Sequence, residues 1–130
     1  MKVLQPPGWP RPKGYSNGIS VRGRLIVTGG TVGWDATGTF VSQDLPGQFA
    51  QALRNIVAIL AEDGAGPEHI VRMTCYVTDI DAYRAAQKEI GEAWNAIIGR
   101  HYPAMALVAV SALVEPQALV EIEATAVVSE

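Results

Sequence analysis

Leu119-Val120-Glu121-Ile122-Glu123-Ala124-Thr125 alternates apolar and polar side chains along its whole length. At a period of two, Glu121, Glu123 and Thr125 share one face of a strand, and Val120, Ile122 and Ala124 share the other. Met105-Ala106-Leu107-Val108-Ala109-Val110 breaks that pattern. Met105, Leu107 and Ala109 are apolar on one side, and so are Ala106, Val108 and Val110 on the other. A strand apolar on both sides is buried on both sides. One stretch therefore asks for a single covered face and the other for two.

Working outward, the cover for the first face is helical. Phe49, Leu53, Ile56 and Leu60 form one stripe at helical spacing between Leu45 and about Asp63. Asp44 is placed to cap this helix, Pro46 sits in its first turn, and Gly64-Ala65-Gly66-Pro67 stops it. Ile70 to Val77 is rich in β-branched and apolar residues and reads as a long strand. A second helix follows, capped by Asp79 or Asp81. It buries Tyr83, Ala86, Ile90, Ala93, Trp94 and Ile97, and Gly99 ends it. Ile19-Ser20-Val21 and Leu25-Ile26-Val27-Thr28 read as two strands joined across Arg22-Gly23-Arg24, the second ending at Gly29-Gly30. Thr39-Phe40-Val41 is a candidate short strand. Met105 to Ala112 and Ala118 to Val128 complete an order ββ(β)αβαββ. This is an α+β domain in which two helices cover one face of a mixed or antiparallel sheet. The second face calls for another copy of the chain, so a homo-oligomer is expected.

The 130 residues leave room for one domain, with residues 1–13 as an extended arm carrying Pro6, Pro7, Pro10 and Pro12. Hydrophobic residues at 48% against 18% charged exclude disorder from weak hydrophobicity. No apolar run is long enough to span a bilayer, and the N-terminus lacks a signal-peptide core, so a cytoplasmic chain without membrane association is expected. The net charge of −3 and the scattered basic residues argue against nucleic-acid partners. Cys75 lies in an apolar run and reads as a buried structural thiol. His69 and His101, the two histidines, are too far apart in sequence to suggest a metal pair, so no metal is expected. Lys88 reads as a solvated residue.

Gly14-Tyr15-Ser16-Asn17-Gly18-Ile19, Val27-Thr28-Gly29-Gly30, Gln51-Ala52-Leu53-Arg54-Asn55-Ile56, Tyr76-Val77-Thr78-Asp79, Tyr102-Pro103-Ala104 and Val120-Glu121-Ile122-Glu123-Ala124 together resemble the RidA (YjgF, L-PSP) family. The likeness runs in order from about Lys13 to Val128. It implies a chorismate-mutase-like α+β fold assembled as a homotrimer, whose sheets form a central barrel with small-molecule clefts between subunits and no cofactor. Well-known members hydrolyse reactive enamines and imines to ketoacids and ammonia. Others have been described as ribonucleases or translation inhibitors.

Such chemistry needs a bound substrate, a water beside the imine carbon and a manager of protons. In active members an arginine directly after Pro-Ala grips the substrate carboxylate, as a guanidinium fork does well. Here that position is Met105, which offers no positive charge. A charge-assisted pair to a carboxylate contributes about 1.5–3 kcal/mol, so a substrate other than 2-iminopropanoate is expected. The resemblance gives Glu121 the place of the cleft glutamate that holds or activates water; the bland alternative is a solvated or salt-bridging strand carboxylate. Glu123 shares its face. Tyr15 corresponds to a cleft tyrosine, or else covers the core. Gly29 stands where some members carry a small polar residue. Gly30, Thr31 and Trp34 extend the same lining, with a loop anchor as the alternative for Trp34. Tyr102, just before Pro103-Ala104-Met105, is expected to pack near the pocket, and Met105, Leu107, Tyr15 and Trp34 to build its apolar lining. Two readings stay open: a deaminase of imines that lack a carboxylate where Met105 sits, with aromatic or more apolar imines suiting the cleft, or a trimer that binds a metabolite or partner after losing the chemistry. A ribonuclease is a weaker third.

Overall fold

A computed structural model describes residues 1–129. Seven strands and three α-helices follow one another as β1 (Lys2–Leu4), β2 (Gly18–Ser20), β3 (Arg24–Val27), β4 (Thr31–Val32), α1 (Leu45–Ala61), β5 (Ile70–Val77), α2 (Ile80–Ala85), α3 (Gln87–Ile97), β6 (Ala104–Ala109) and β7 (Val120–Val128). A short 3-10 turn, Pro67–His69, leads into β5.

The main sheet runs β3-β7-β5-β6, with β4 continuing the β3 side of β7. β7 is antiparallel to β3, β4 and β5, whereas β5 and β6 are parallel, so the sheet is mixed. The alternation of β7 is realised: Val120, Ile122, Ala124 and Ala126 are buried, while Glu121, Glu123 and Thr125 are only partly covered. From β5, Ile70, Met73, Cys75 and Val77 join the same buried side. Phe49, Leu53, Ile56 and Leu60 of α1 pack on them with Ile90 and Trp94 of α3. The helices thus cover one face.

Asp44 caps α1 through its carboxylate, which accepts from the Gly47 N–H at 2.8 Å. Asp79, not Asp81, caps α2 by accepting from the Ala82 N–H at 3.0 Å. The single second helix expected from the periodicity is divided. Ala86 adopts φ −103°, ψ 8°, and its N–H is shared between the Ala82 and Tyr83 carbonyls at 3.1 and 3.0 Å. No proline or glycine marks this break, and the apolar stripe runs through it.

Strand pairing departs from the expected hairpin. β2 pairs with β1 of the proline-rich arm, and β3 pairs with β7. The physical reason is burial: Ile26 of β3 packs against the main core, which a two-stranded ribbon with β2 would not supply. Thr39-Phe40-Val41 forms only an isolated bridge, Phe40 to Trp34. β6 is an edge strand. On the helix-free face Val108 is 45% exposed, Leu25 65% and Val27 64%, so apolar side chains stand uncovered at both edges of that face in the single chain, with Glu121, Glu123, Thr74 and Tyr76 between them.

Candidate functional site

Strand register divides the expected site residues between the two sides of the sheet. Met105 lies beside Met73, which lies beside Ala124, and Leu107 lies beside Cys75 and Ile122. All of these point to the helices. Glu121 lies beside Tyr76 and Glu123 beside Thr74, on the helix-free face. Within one chain the sheet itself separates Met105 from Glu121.

On the helix side, Tyr15, Tyr102, Met105 and Leu107 line a cavity of about 460 Å3, closed from behind by Ile90 and Trp94 of α3. Tyr15 comes from far away in sequence. Ser16 holds it there: its N–H donates to the Pro103 carbonyl at 3.0 Å and its hydroxyl to the Tyr102 carbonyl at 2.5 Å. Gly14, at φ +80°, provides the left-handed turn that brings the arm onto β6. Tyr83 also lines the cavity, and burial raises its phenol above the ordinary range.

On the other side the decisive feature is a bulge. Val27 pairs with Thr125 and Thr31 with Ile122, so the β3–β4 side advances one residue more than β7 over this interval. The surplus is taken up at Thr28-Gly29-Gly30, a common device for re-aiming chain beside a site. Thr28 anchors it, its N–H donating to the Ala124 carbonyl at 2.9 Å and its hydroxyl accepting from the Ala124 N–H at 3.0 Å. Gly30 then passes directly against Glu121; a Cβ there would stand 2.7 Å from the Glu121 Cδ. Thr31 is buried, and its hydroxyl donates to the Gly29 carbonyl at 3.2 Å.

The two carboxylates differ. Glu123 accepts from the Tyr76 hydroxyl at 2.7 Å, and that bond holds the Tyr76 phenol above its ordinary range. The Glu121 carboxylate has no hydrogen bond or ion pair among the described residues. One carboxylate is engaged and the other is not. Trp34 joins neither group: it packs on Phe40 with ring centroids 5.9 Å apart, the loop-anchor arrangement. Both histidines are tied to backbone, His69 Nδ1 accepting from the Gly66 N–H at 2.9 Å and His101 Nε2 lying 2.6 Å from the Ile70 carbonyl oxygen.

Two polar residues behind the site escaped the sequence reading. Asn55 donates to the Val32 and Trp34 carbonyls at 3.0 and 2.8 Å, and Val32 is the strand partner of Glu121. Gln48, buried in α1, donates to the Ser42 and Gln117 carbonyls and accepts from the Leu119 N–H at 2.8 Å. Their signal was an amide inside an apolar stripe, which must be fully hydrogen-bonded to be tolerated.

Residues 10–128 match the family described as Endoribonuclease L-PSP. The chain belongs to the RidA (YjgF, L-PSP) family. A RutC family protein of Pyrococcus abyssi is 34% identical over 119 residues, 90% of this chain and 89% of that protein. A 2-iminobutanoate/2-iminopropanoate deaminase of Salmonella typhimurium is 28% identical over 116 residues, 87% of this chain and 86% of its own length. The crystal structure of the Rid family protein YyfB from Yersinia pestis has a TM-score of 0.85 at 32% identity, with 98% of each chain covered. The RidA fold, chorismate-mutase-like and α+β, is therefore the fold described above. No helix among the described residues is long and apolar enough to cross a membrane.

Proposed function

We propose that this chain is an imine or enamine deaminase whose cleft is shared between copies in a homotrimer. One copy supplies Glu121 with Gly29, Gly30 and Thr31, and its neighbour supplies Tyr15, Tyr102, Met105 and Leu107. The observation that carries this reading is the placement of an unengaged Glu121 and an aromatic-walled cavity on opposite faces of one sheet. Two such half-sites become one only when a second copy covers the exposed Leu25, Val27 and Val108 face.

The chemistry is a hydrolysis. The substrate C=N nitrogen is protonated, and water held by the Glu121 carboxylate adds to the carbon as Glu121 takes its proton. Glu121 then gives that proton to the amine nitrogen of the carbinolamine, the C–N bond breaks to expel ammonia, and the hydroxyl proton passes through the carboxylate to the departing ammonia as the carbonyl forms, so ammonium leaves and Glu121 is again ionised. An enamine enters by first taking a proton at carbon. The test is ammonia release from imines generated in situ by an amino-acid oxidase, with light scattering on the same sample. Turnover above buffer that Glu121→Ala abolishes, in a particle of three chains, supports the proposal. No release by either the native chain or Met105→Arg leaves the second reading, a metabolite-binding trimer. That reading is favoured by one specific feature: no arginine lines the cavity among the described residues.

A further inference from the structure

The walls of the cavity beside β6 carry a particular charge pattern. Among the described residues, Lys13 is the one charged residue that lines it, and no Asp or Glu does. Most of the remaining surface is aromatic or aliphatic, with Phe49, Trp94, Met105 and Leu107 among the contributors. Lys13 is exposed and forms no ion pair with a described residue. Its position is built: the Gly14 turn and the two Ser16 hydrogen bonds to Tyr102 and Pro103 lay this part of the arm along β6. A volume of about 460 Å3 is in the range of roughly 300–1,000 Å3 that holds ligands of many heavy atoms, well beyond a three-carbon acid.

We propose that this cavity takes carboxylates bearing an aromatic or large aliphatic side chain, with Lys13 supplying the positive charge that Met105 does not. The hydrophobic body lies against Met105, Leu107 and Trp94, and the carboxylate reaches the ammonium at the mouth. A lysine ammonium is a mobile point charge on a flexible stem. It therefore selects for charge at the mouth and leaves the interior free for bulk. The inference rests on the deaminase reading only in taking this cavity as the ligand-binding half of the cleft, and it names the substrate class.

Calorimetric titration of the full chain at low ionic strength tests it with three unreactive probes: 3-phenylpropanoate, its neutral isostere 3-phenylpropanamide, and propanoate. The acid is expected to bind about five-fold tighter than the amide, the worth of a solvent-exposed ion pair near 1 kcal/mol. Lys13→Ala should remove that preference by weakening only the acid, Lys13→Arg should keep it, and propanoate should bind more weakly than 3-phenylpropanoate. Equal affinity of the native chain for acid and amide, an unchanged preference in Lys13→Ala, or no binding of 3-phenylpropanoate overturns the proposal. Because turnover is not read, the two ideas fail separately. Binding with the expected Lys13 dependence but no ammonia release from any imine sinks the deaminase reading alone. Ammonia release without a Lys13-dependent acid preference sinks this one alone.

Discussion

Replacing Gly30 by alanine should damage turnover while leaving the fold intact. The new Cβ would lie 2.7 Å from the Glu121 Cδ and 3.1 Å from its Cγ. Carbon atoms are comfortable at about 3.5–4.0 Å, so the carboxylate must retreat by roughly 1 Å. It can do so because it ends a flexible side chain and no hydrogen bond among the described residues ties it down. Gly30 is not among the positive-φ glycines, so alanine meets no backbone strain, and the lost freedom of the unfolded chain contributes about 0.4–1 kcal/mol in favour of the fold. Net stability should then stay within roughly 0.5 kcal/mol of the parent, as for other substitutions away from the core. Catalysis is less forgiving, since a 1 Å misplacement costs on the order of 10²-fold, about 2.7 kcal/mol of barrier. The assay is initial-rate ammonia release from oxidase-generated imines, beside thermal unfolding by circular dichroism, with Glu121→Gln as reference. A Gly30→Ala protein that keeps its rate within about threefold while Glu121→Gln is inactive refutes the idea that the glycine clears room for the carboxylate.

Gln48→Ala leaves the Ser42 and Gln117 carbonyls and the Leu119 N–H without their partner. At about 1 kcal/mol each this costs about 3 kcal/mol; urea midpoints at matched protein concentration check it, and a loss under about 1 kcal/mol contradicts it. Cys75 should resist thiol reagents at pH 8 until the chain unfolds, because burial pushes its thiol up to about 12 from 9.0. The same shift sets an alkaline limit. Between pH 9 and pH 12 the unfolded thiol has lost its proton and the folded one has not, so stability falls as pH rises, by at most about 4 kcal/mol. The slope should become shallower in Cys75→Ala, and what remains comes from Tyr76 and Tyr83, whose phenols are also held above the ordinary range. Val108→Lys places a charge on the exposed apolar edge of β6; light scattering should report monomers with unchanged circular dichroism, and a persistent trimer would show that this face is not the one covered.

Local chemistry was legible in the order of residues because side-chain periodicity is itself local. The alternation of Val120 to Thr125, the stripe of Phe49, Leu53, Ile56 and Leu60, and the cap at Asp44 each follow from neighbours a few positions away, whereas the choice of Asp79 over Asp81 came from the structure. The burial of Cys75 likewise follows from its neighbours. The order of the family's short motifs was equally readable, and residues 10–128 bear it out.

What chain order alone could not decide was partnership across distance. Two hydrogen-bonding edges competed for β2, and β1 won it, leaving β3 to β7, because pairing is chosen by the core each strand can reach. The extra residue at Thr28-Gly29-Gly30 becomes a bulge only against the register of a strand nearly a hundred residues later, and that bulge is what sets Gly30 on Glu121. The break at Ala86 leaves no mark in composition because a shared hydrogen bond makes it, not a residue type. Above all, Met105 and Glu121 each belong to a strand whose faces could be assigned in isolation, but only the register through β5 shows them pointing to opposite sides of the sheet. Which side of a strand meets which neighbour is a property of the assembled sheet, and it takes the tertiary structure to state it.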